Sequence, residues 1–196
     1  TNSEFRFIAT QQLADAGIDP GAVLIEPDAR NTAPALLAAA LVQAQSDPSA
    51  LMLAAPSDHY ITRGNAFRKT VMAGVEPARA GQIVTFGITP DRPETGYGYL
   101  ELGTGQEHGA VPLNRFVEKP KRADAERMLA TGGYLWNAGI FMYSAQTLID
   151  AFAQHAPDTL KHVQAAVDQA VPDLGFLRMD PEAWFNCEDI SIDFAI

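Results

Sequence analysis

The sequence predicts an α/β fold with a mainly parallel sheet, and three observations carry that expectation. Apolar runs of strand length alternate with helical patterns through the first half of the chain, as βαβ units require. The run Ala50 to Ala55 holds no charge and suits a strand buried on both faces, until Pro56-Ser57-Asp58 breaks it with turn chemistry. With 47% hydrophobic and 19% charged residues, 196 residues can bury a sizeable core, ordinarily as one domain.

Taken in order, Ser3 to Ala16 read as a helix, with Phe7, Ile8, Gln11, Gln12 and Leu13 at helical spacing and Gly17 as a stop. Ala22 to Ile25 form a short buried strand that enters the polar loop Glu26 to Pro34. An Ala/Leu-rich helix, Ala35 to Gln45, follows; Asn31 or Thr32 can cap it, and Pro34 is tolerated in its first turn. After the Ala50 strand come a helix over 65–79 and a strand from Ile83 to Phe86 closed by Gly87. The glycine-punctuated segment Asp91 to Leu100 leads into a further strand. Val111 to Val117 is strand-like, Ala123 to Thr131 helical, and Tyr134 to Tyr143 a strand carrying Trp136-Asn137-Ala138-Gly139. The chain is then helical in composition to Val171 and irregular as far as Ile190. No internal repeat, low-complexity tract or linker interrupts it.

Composition excludes several classes. Fourteen Lys and Arg against 24 Asp and Glu give a formal charge of −10 with no basic stripe, which disfavours binding to nucleic acid. No run approaches the roughly 18 apolar residues of a membrane span, and the first residues lack the basic-then-apolar pattern of a signal peptide. The single cysteine, Cys187, excludes an internal disulfide and a cysteine-based metal cluster. The expectation is a soluble cytoplasmic protein.

Five polar segments follow or flank the strands: Glu26 to Thr32, Asp58, Gly96 to Tyr99, Glu118-Lys119, and Asp193. Polar groups at comparable places along one sheet edge suggest a ligand cleft. Asp58, at the C-terminal end of a strand, is placed either to hold a hard cation such as Mg²⁺ beside a phosphate or to cap the next turn. Arg30 can bind phosphate or pair with Asp28. Gly96 and Gly98 either let backbone approach a ligand or serve a tight hairpin. Glu118 and Lys119 reach one ligand together only if the strand ends at Glu118, which Pro120 favours.

The strings Glu-Pro-Asp-Ala-Arg-Asn-Thr-Ala-Pro-Ala (26 to 35), Pro-Ser-Asp-His-Tyr-Ile (56 to 61), Thr-Gly-Tyr-Gly-Tyr-Leu (95 to 100), Phe-Val-Glu-Lys-Pro (116 to 120), Trp-Asn-Ala-Gly-Ile-Phe (136 to 141) and Ser-Ile-Asp-Phe-Ala (191 to 195) together resemble the sugar-nucleotidyltransferase family. Within it they are most similar to the bacterial enzymes that act on mannose 1-phosphate. The resemblance implies a Rossmann-like nucleotidyltransferase sheet, mixed and mainly parallel with helices on both faces, over 1–196. The family's opening loop, Gly-Gly-x-Gly-Thr-Arg-Leu, does not occur in these 196 residues. The chain therefore reads as the interior of a longer catalytic domain, incomplete at its N-terminus, and the expectation is that it is inactive alone.

By this resemblance the reaction is transfer of GMP from GTP to mannose 1-phosphate, with Mg²⁺ held by Asp58 and Asp193. Lys119 would meet the sugar phosphate; Glu118, Asn137, Gly96, Tyr97 and Gly98 would contact the sugar. Glu26 would read guanine, whose N1–H and N2 amino group offer a carboxylate two adjacent donors, with Arg30, Asn31 and Thr32 completing the nucleotide side. Glu26 could equally just end its strand. Two alternatives stay open: another hexose 1-phosphate as substrate, or a non-catalytic nucleotide-sugar-binding module. An open sheet edge makes self-association into a homo-oligomer a further expectation.

Overall fold

The computed structural model describes residues 1–105 and 109–196. In chain order the elements are helix α1 (Arg6–Asp15), strand β1 (Val23–Ile25), helix α2 (Thr32–Ala44) and strand β2 (Leu51–Ala54). Helices α3 (Gly64–Ala73) and α4 (Val75–Arg79) lead to strands β3 (Val84–Ile88), β4 (Tyr99–Leu102) and β5 (Leu113–Val117). Then come helix α5 (Arg122–Thr131), the long strand β6 (Tyr134–Ser144) and helices α6 (Ala145–His155) and α7 (Pro157–Asp168). Strands β7 (Val171–Asp173) and β8 (Phe176–Arg178) and the short helices α8 (Pro181–Phe185) and α9 (Ile192–Ala195) follow. The chain divides into two compact units, the first formed by Thr1–Ala50 with Leu148–Ile196 and the second by Leu51–Thr147.

The second unit is built around β6. Trp136 pairs with Ile88 of β3 on one edge and Tyr99 of β4 on the other; Phe141 likewise pairs with Thr85 of β3 and Ala54 of β2. Each of these pairings is antiparallel, and β5 extends the sheet beyond β4 in the same sense. The architecture is mixed α/β as expected, but the mainly parallel pairing is not: among the described strands, β1 with β8 is the parallel pair. The alternation of elements does give the right directions, because β2 and β3 both run opposite to β6 and so run alike, joined by α3 and α4. What local sequence does not specify is that β6, some fifty residues later, inserts between them.

Side-chain periodicity explains the packing. Leu51 joins a cluster of Ala78, Phe86, Ile140 and Met142 with Phe67, Val71 and Val75 from α3 and α4. Leu53, two residues on and so on the same face, is 41% exposed, and no residue of β2 is fully buried, so the uncharged run is not the strand buried on both faces that was expected. A second cluster unites Tyr99, Trp136 and Val117 of the sheet with Ala125 and Met128 of α5. Where β3 shifts register between Thr85 and Gly87, a Cβ on Gly87 would lie 2.5 Å from the Leu135 side chain, so only glycine fits.

In the first unit, α2 buries Ala33, Pro34, Leu37, Ala38, Ala40 and Leu41 and packs on α7 and α9, while α7 packs on α8. β8 pairs with β1 and turns back on β7 through Leu174 and Gly175, both at positive φ, as a two-residue hairpin demands. This hairpin and α8 replace the irregular segment expected there; Leu174 is an uncommon residue for such a turn, and the sequence carries no Asn-Gly signal. No helix among the described residues is long and apolar enough to cross a membrane.

Candidate functional site

In the second unit the sugar-side candidates come together. β5 ends at Val117, and the next two residues turn: Lys119 adopts φ 42°, a left-handed conformation costly for a side-chain-bearing residue. That turn lets neighbours share one side, with Lys119 Nζ 3.3 Å from Glu118 Oε1. Glu118 in turn lies over Gly98, where an added Cβ would sit 2.6 Å from Oε2. The Gly98 carbonyl accepts the Asn137 amide at 2.8 Å. Asn137 Oδ1 accepts from Thr85 Oγ1 at 3.0 Å and from the Gly139 amide at 3.1 Å, which fixes its side chain at the β3–β6 bulge. Tyr97 stands edge-on to Trp136 with centroids 5.4 Å apart.

Three residues that sequence reasoning did not assign to the site support this loop. Trp136 is buried, but its ring contacts Tyr97 and lies under the Arg92 guanidinium 5.0 Å away; its Nε1 has no hydrogen-bond partner. Glu94 accepts from the Thr95 amide at 2.9 Å and the Gly96 amide at 3.0 Å, and the Gly96 amide, with that of Thr95 and nearby Arg92, holds its carboxyl below the ordinary carboxylate value. The signal available was an acceptor side chain placed directly before Thr95-Gly96.

The nucleotide-side candidates belong to the first unit. Glu26 follows β1 and lies 3.5 Å from the Thr1 amino group. Arg30 pairs with Asp28 at 3.6 Å, donates to the Phe185 carbonyl at 3.3 Å and lies over the Phe185 ring. Of its two sequence-based roles, the contacts are those of the pairing role, docking the turn on α8; the Trp184 indole adds a bond to the Asp28 carbonyl at 2.8 Å. Asn31 caps α2, its Oδ1 accepting from the Thr32 amide, at φ 60° and ψ −160°, a region glycine normally occupies. Thr32 Oγ1 accepts the Ile192 amide at 2.9 Å, tying α2 to the first residue of α9. Asp193, expected at a strand or loop end, sits in the first turn of that helix instead. Of the three non-glycine residues with positive φ among those described, Asn31, Lys119 and Leu174, two are candidate site residues.

Asp58 is an exposed residue of the turn after β2, in the second unit; Asp193 belongs to the first. Among the described residues no group of three or more His, Cys, Asp or Glu could hold a metal ion by itself. A Mg²⁺ ion needs no such cage, since one or two carboxylates with water and substrate phosphates complete its octahedron. Each of these two carboxylates by itself offers the hard oxygen donors that such an ion takes.

Strand-end and turn residues that gather carboxylate, ammonium and glycine backbone on an α/β fold form an arrangement with the chemistry to take a polar small ligand. Residues 1–186 match the nucleotidyl transferase family model, and the chain belongs to that family. It is 41% identical to the mannose-1-phosphate guanylyltransferase of Sinorhizobium fredii, with 100% of this chain and 38% of that protein covered. It is also 41% identical to the xanthan biosynthesis protein XanB of Xanthomonas campestris pv. campestris, covering 100% and 41%. The crystal structure of mannose-6-phosphate isomerase from Helicobacter pylori superposes with a TM-score of 0.87 at 30% identity, over 100% of this chain and 75% of that one. The chain spans about two fifths of the length of the curated relatives it matches.

Proposed function

We propose that the intact protein transfers GMP from GTP to mannose 1-phosphate, giving GDP-mannose and pyrophosphate. The observation that carries this reading is the juxtaposition of Gly98, Glu118 and Lys119, which offers a sugar phosphate an acceptor for its hydroxyls and a cation for its phosphate, 3.3 Å apart, on a backbone stripped of side chain. Names of the similar proteins support it, since a mannose phosphate is common to the Sinorhizobium and Helicobacter proteins.

The chemistry then needs little from the protein beyond placement and charge. A phosphate monoester has its second pKa at about 6 and is largely dianionic at neutral pH, so no general base is required. Its oxygen attacks the α-phosphorus of GTP in line; the bond from that phosphorus to the α,β-bridging oxygen breaks, and pyrophosphate leaves with the electron pair. Lys119 offsets the repulsion between the two anions, and Glu118, Asn137 and the Gly96-Tyr97-Gly98 backbone fix the sugar so that attack is in line. Glu26 accepts from guanine N1–H and the N2 amino group, Asn31 and Thr32 shape the turn at the N-terminus of α2, and Arg30 braces it. Asp58 and Asp193 are the proposed ligands of Mg²⁺, which when bound supplies charge neutralisation at the phosphoryl oxygens. A cytoplasmic location is part of the same proposal.

The test is release of pyrophosphate by the intact protein from GTP and Mg²⁺. Release that depends on mannose 1-phosphate and falls by about a hundredfold in Lys119→Ala supports the reading. Release indifferent to the sugar phosphate, or to Lys119, contradicts it.

A further inference from the structure

Glu94 belongs to none of the groups assigned above to substrate, yet its contacts all converge on the loop that would hold the sugar. Its Oε1 accepts both the Thr95 and Gly96 amides, at 2.9 and 3.0 Å. Its main-chain carbonyl accepts the hydroxyl of Tyr99 at 2.9 Å, and Tyr99 is fully buried in the sheet cluster. Arg92, 3.5 Å from Glu94 Oε2 and 2.9 Å from Asp91, lays its guanidinium over Trp136, the same ring that Tyr97 touches. The four residues from Thr95 to Gly98 are thus pinned at one end by Glu94 and at the other by the Asn137 amide on the Gly98 carbonyl. Without the carboxylate, two adjacent backbone donors at a glycine would lose the acceptor that sets their direction, and glycine has no side-chain preference to restore it.

We propose that Glu94 is the positioning residue of the sugar-phosphate subsite, setting the Gly96-Tyr97-Gly98 backbone in its receptive geometry through the two amide bonds. The inference rests on the sugar-phosphate reading of that loop. What it requires of residue 94 is a fixed acceptor rather than a charge, so glutamine, which keeps Oε1, should serve where alanine cannot.

The experiment is steady-state kinetics on the intact protein with Glu94→Ala and Glu94→Gln, together with the pH dependence of the Thr95 and Gly96 amide resonances in wild type. Expected is a rise of about tenfold in KM for mannose 1-phosphate in Glu94→Ala, with KM for GTP unchanged, and recovery to within about threefold of wild type in Glu94→Gln. Equal losses for both substrates, no loss in Glu94→Ala, or a Glu94→Gln as impaired as Glu94→Ala would overturn it. The amides report without any substrate. Both resonances should follow the carboxyl titration of Glu94, and amides that ignore it overturn the proposal. If wild type uses no sugar phosphate while the amides track Glu94, the functional reading fails and the bonds to the loop stand, but the assignment of that loop to a sugar falls with it.

Discussion

Gly98 and Glu118 are in such close contact that a methyl group on the first would press within 2.6 Å of the carboxylate of the second and within 2.8 and 2.9 Å of the Phe116 ring. Glu118 can swing aside, but the half-buried Phe116 ring cannot do so cheaply. Gly98→Ala should therefore cost about 1–3 kcal/mol of stability as an overpacked site. At Gly96 an added Cβ meets only Glu94 Oε1 at an ordinary 3.5 Å, and Gly96→Ala should stay within about 0.5 kcal/mol of wild type. Urea denaturation of the two variants checks the contrast. Equal effects would contradict the packing argument.

Lys119 holds a strained backbone at φ 42°. Lys119→Ala and Lys119→Gly should both lose activity, but the glycine variant should be the more stable of the two by about 1 kcal/mol, because φ 42° no longer meets a Cβ. The check is their relative denaturation midpoints. An alanine variant as stable as the glycine one would mean that the turn carries no strain.

Sequence alone made a large part of this arrangement legible. Asn31 as a cap, the end of β5 before Glu118-Lys119 and the common direction of β2 and β3 all follow from local rules, since caps, prolines and alternation act over a few residues. The insertion of β6 between β2 and β3 did not follow, because pairing across some fifty residues leaves no local trace. Asp193 was misplaced for a related reason: α9 is four residues long, and its first amide is satisfied by Thr32, 160 residues earlier. Glu94 was passed over because the glycines beside it drew the functional reading to themselves.

The Thr32 bond gives its own prediction. Thr32→Val removes the acceptor of the Ile192 amide and should cost about 1 kcal/mol, with Thr32→Ser keeping it. As Asp193 is the next residue, the valine variant should also need more Mg²⁺ for half-maximal activity. A metal titration unchanged in Thr32→Val would separate that bond from the role proposed for Asp193.

Burial pushes the Cys187 thiol up to about 11, against a smaller opposing effect of Arg30. The folded value lies above that of the unfolded chain, so this contribution to stability is complete below pH 9 and is lost as pH rises toward 11. Alkylation by iodoacetamide at pH 8 should be slow in the native protein and fast in urea. Rapid native alkylation would contradict the buried placement.

Which nucleotide and which sugar the intact protein joins can be read directly from its products. The intact protein should be given equal amounts of GTP, ATP, UTP and CTP with Mg²⁺ and equal amounts of mannose 1-phosphate and glucose 1-phosphate, and the products resolved by mass spectrometry, with Glu26→Gln alongside. GDP-mannose as the dominant product of wild type, and a loss of preference for GTP in Glu26→Gln, is the predicted result. No nucleotide sugar at all, or one built on another base with Glu26 intact, would contradict it.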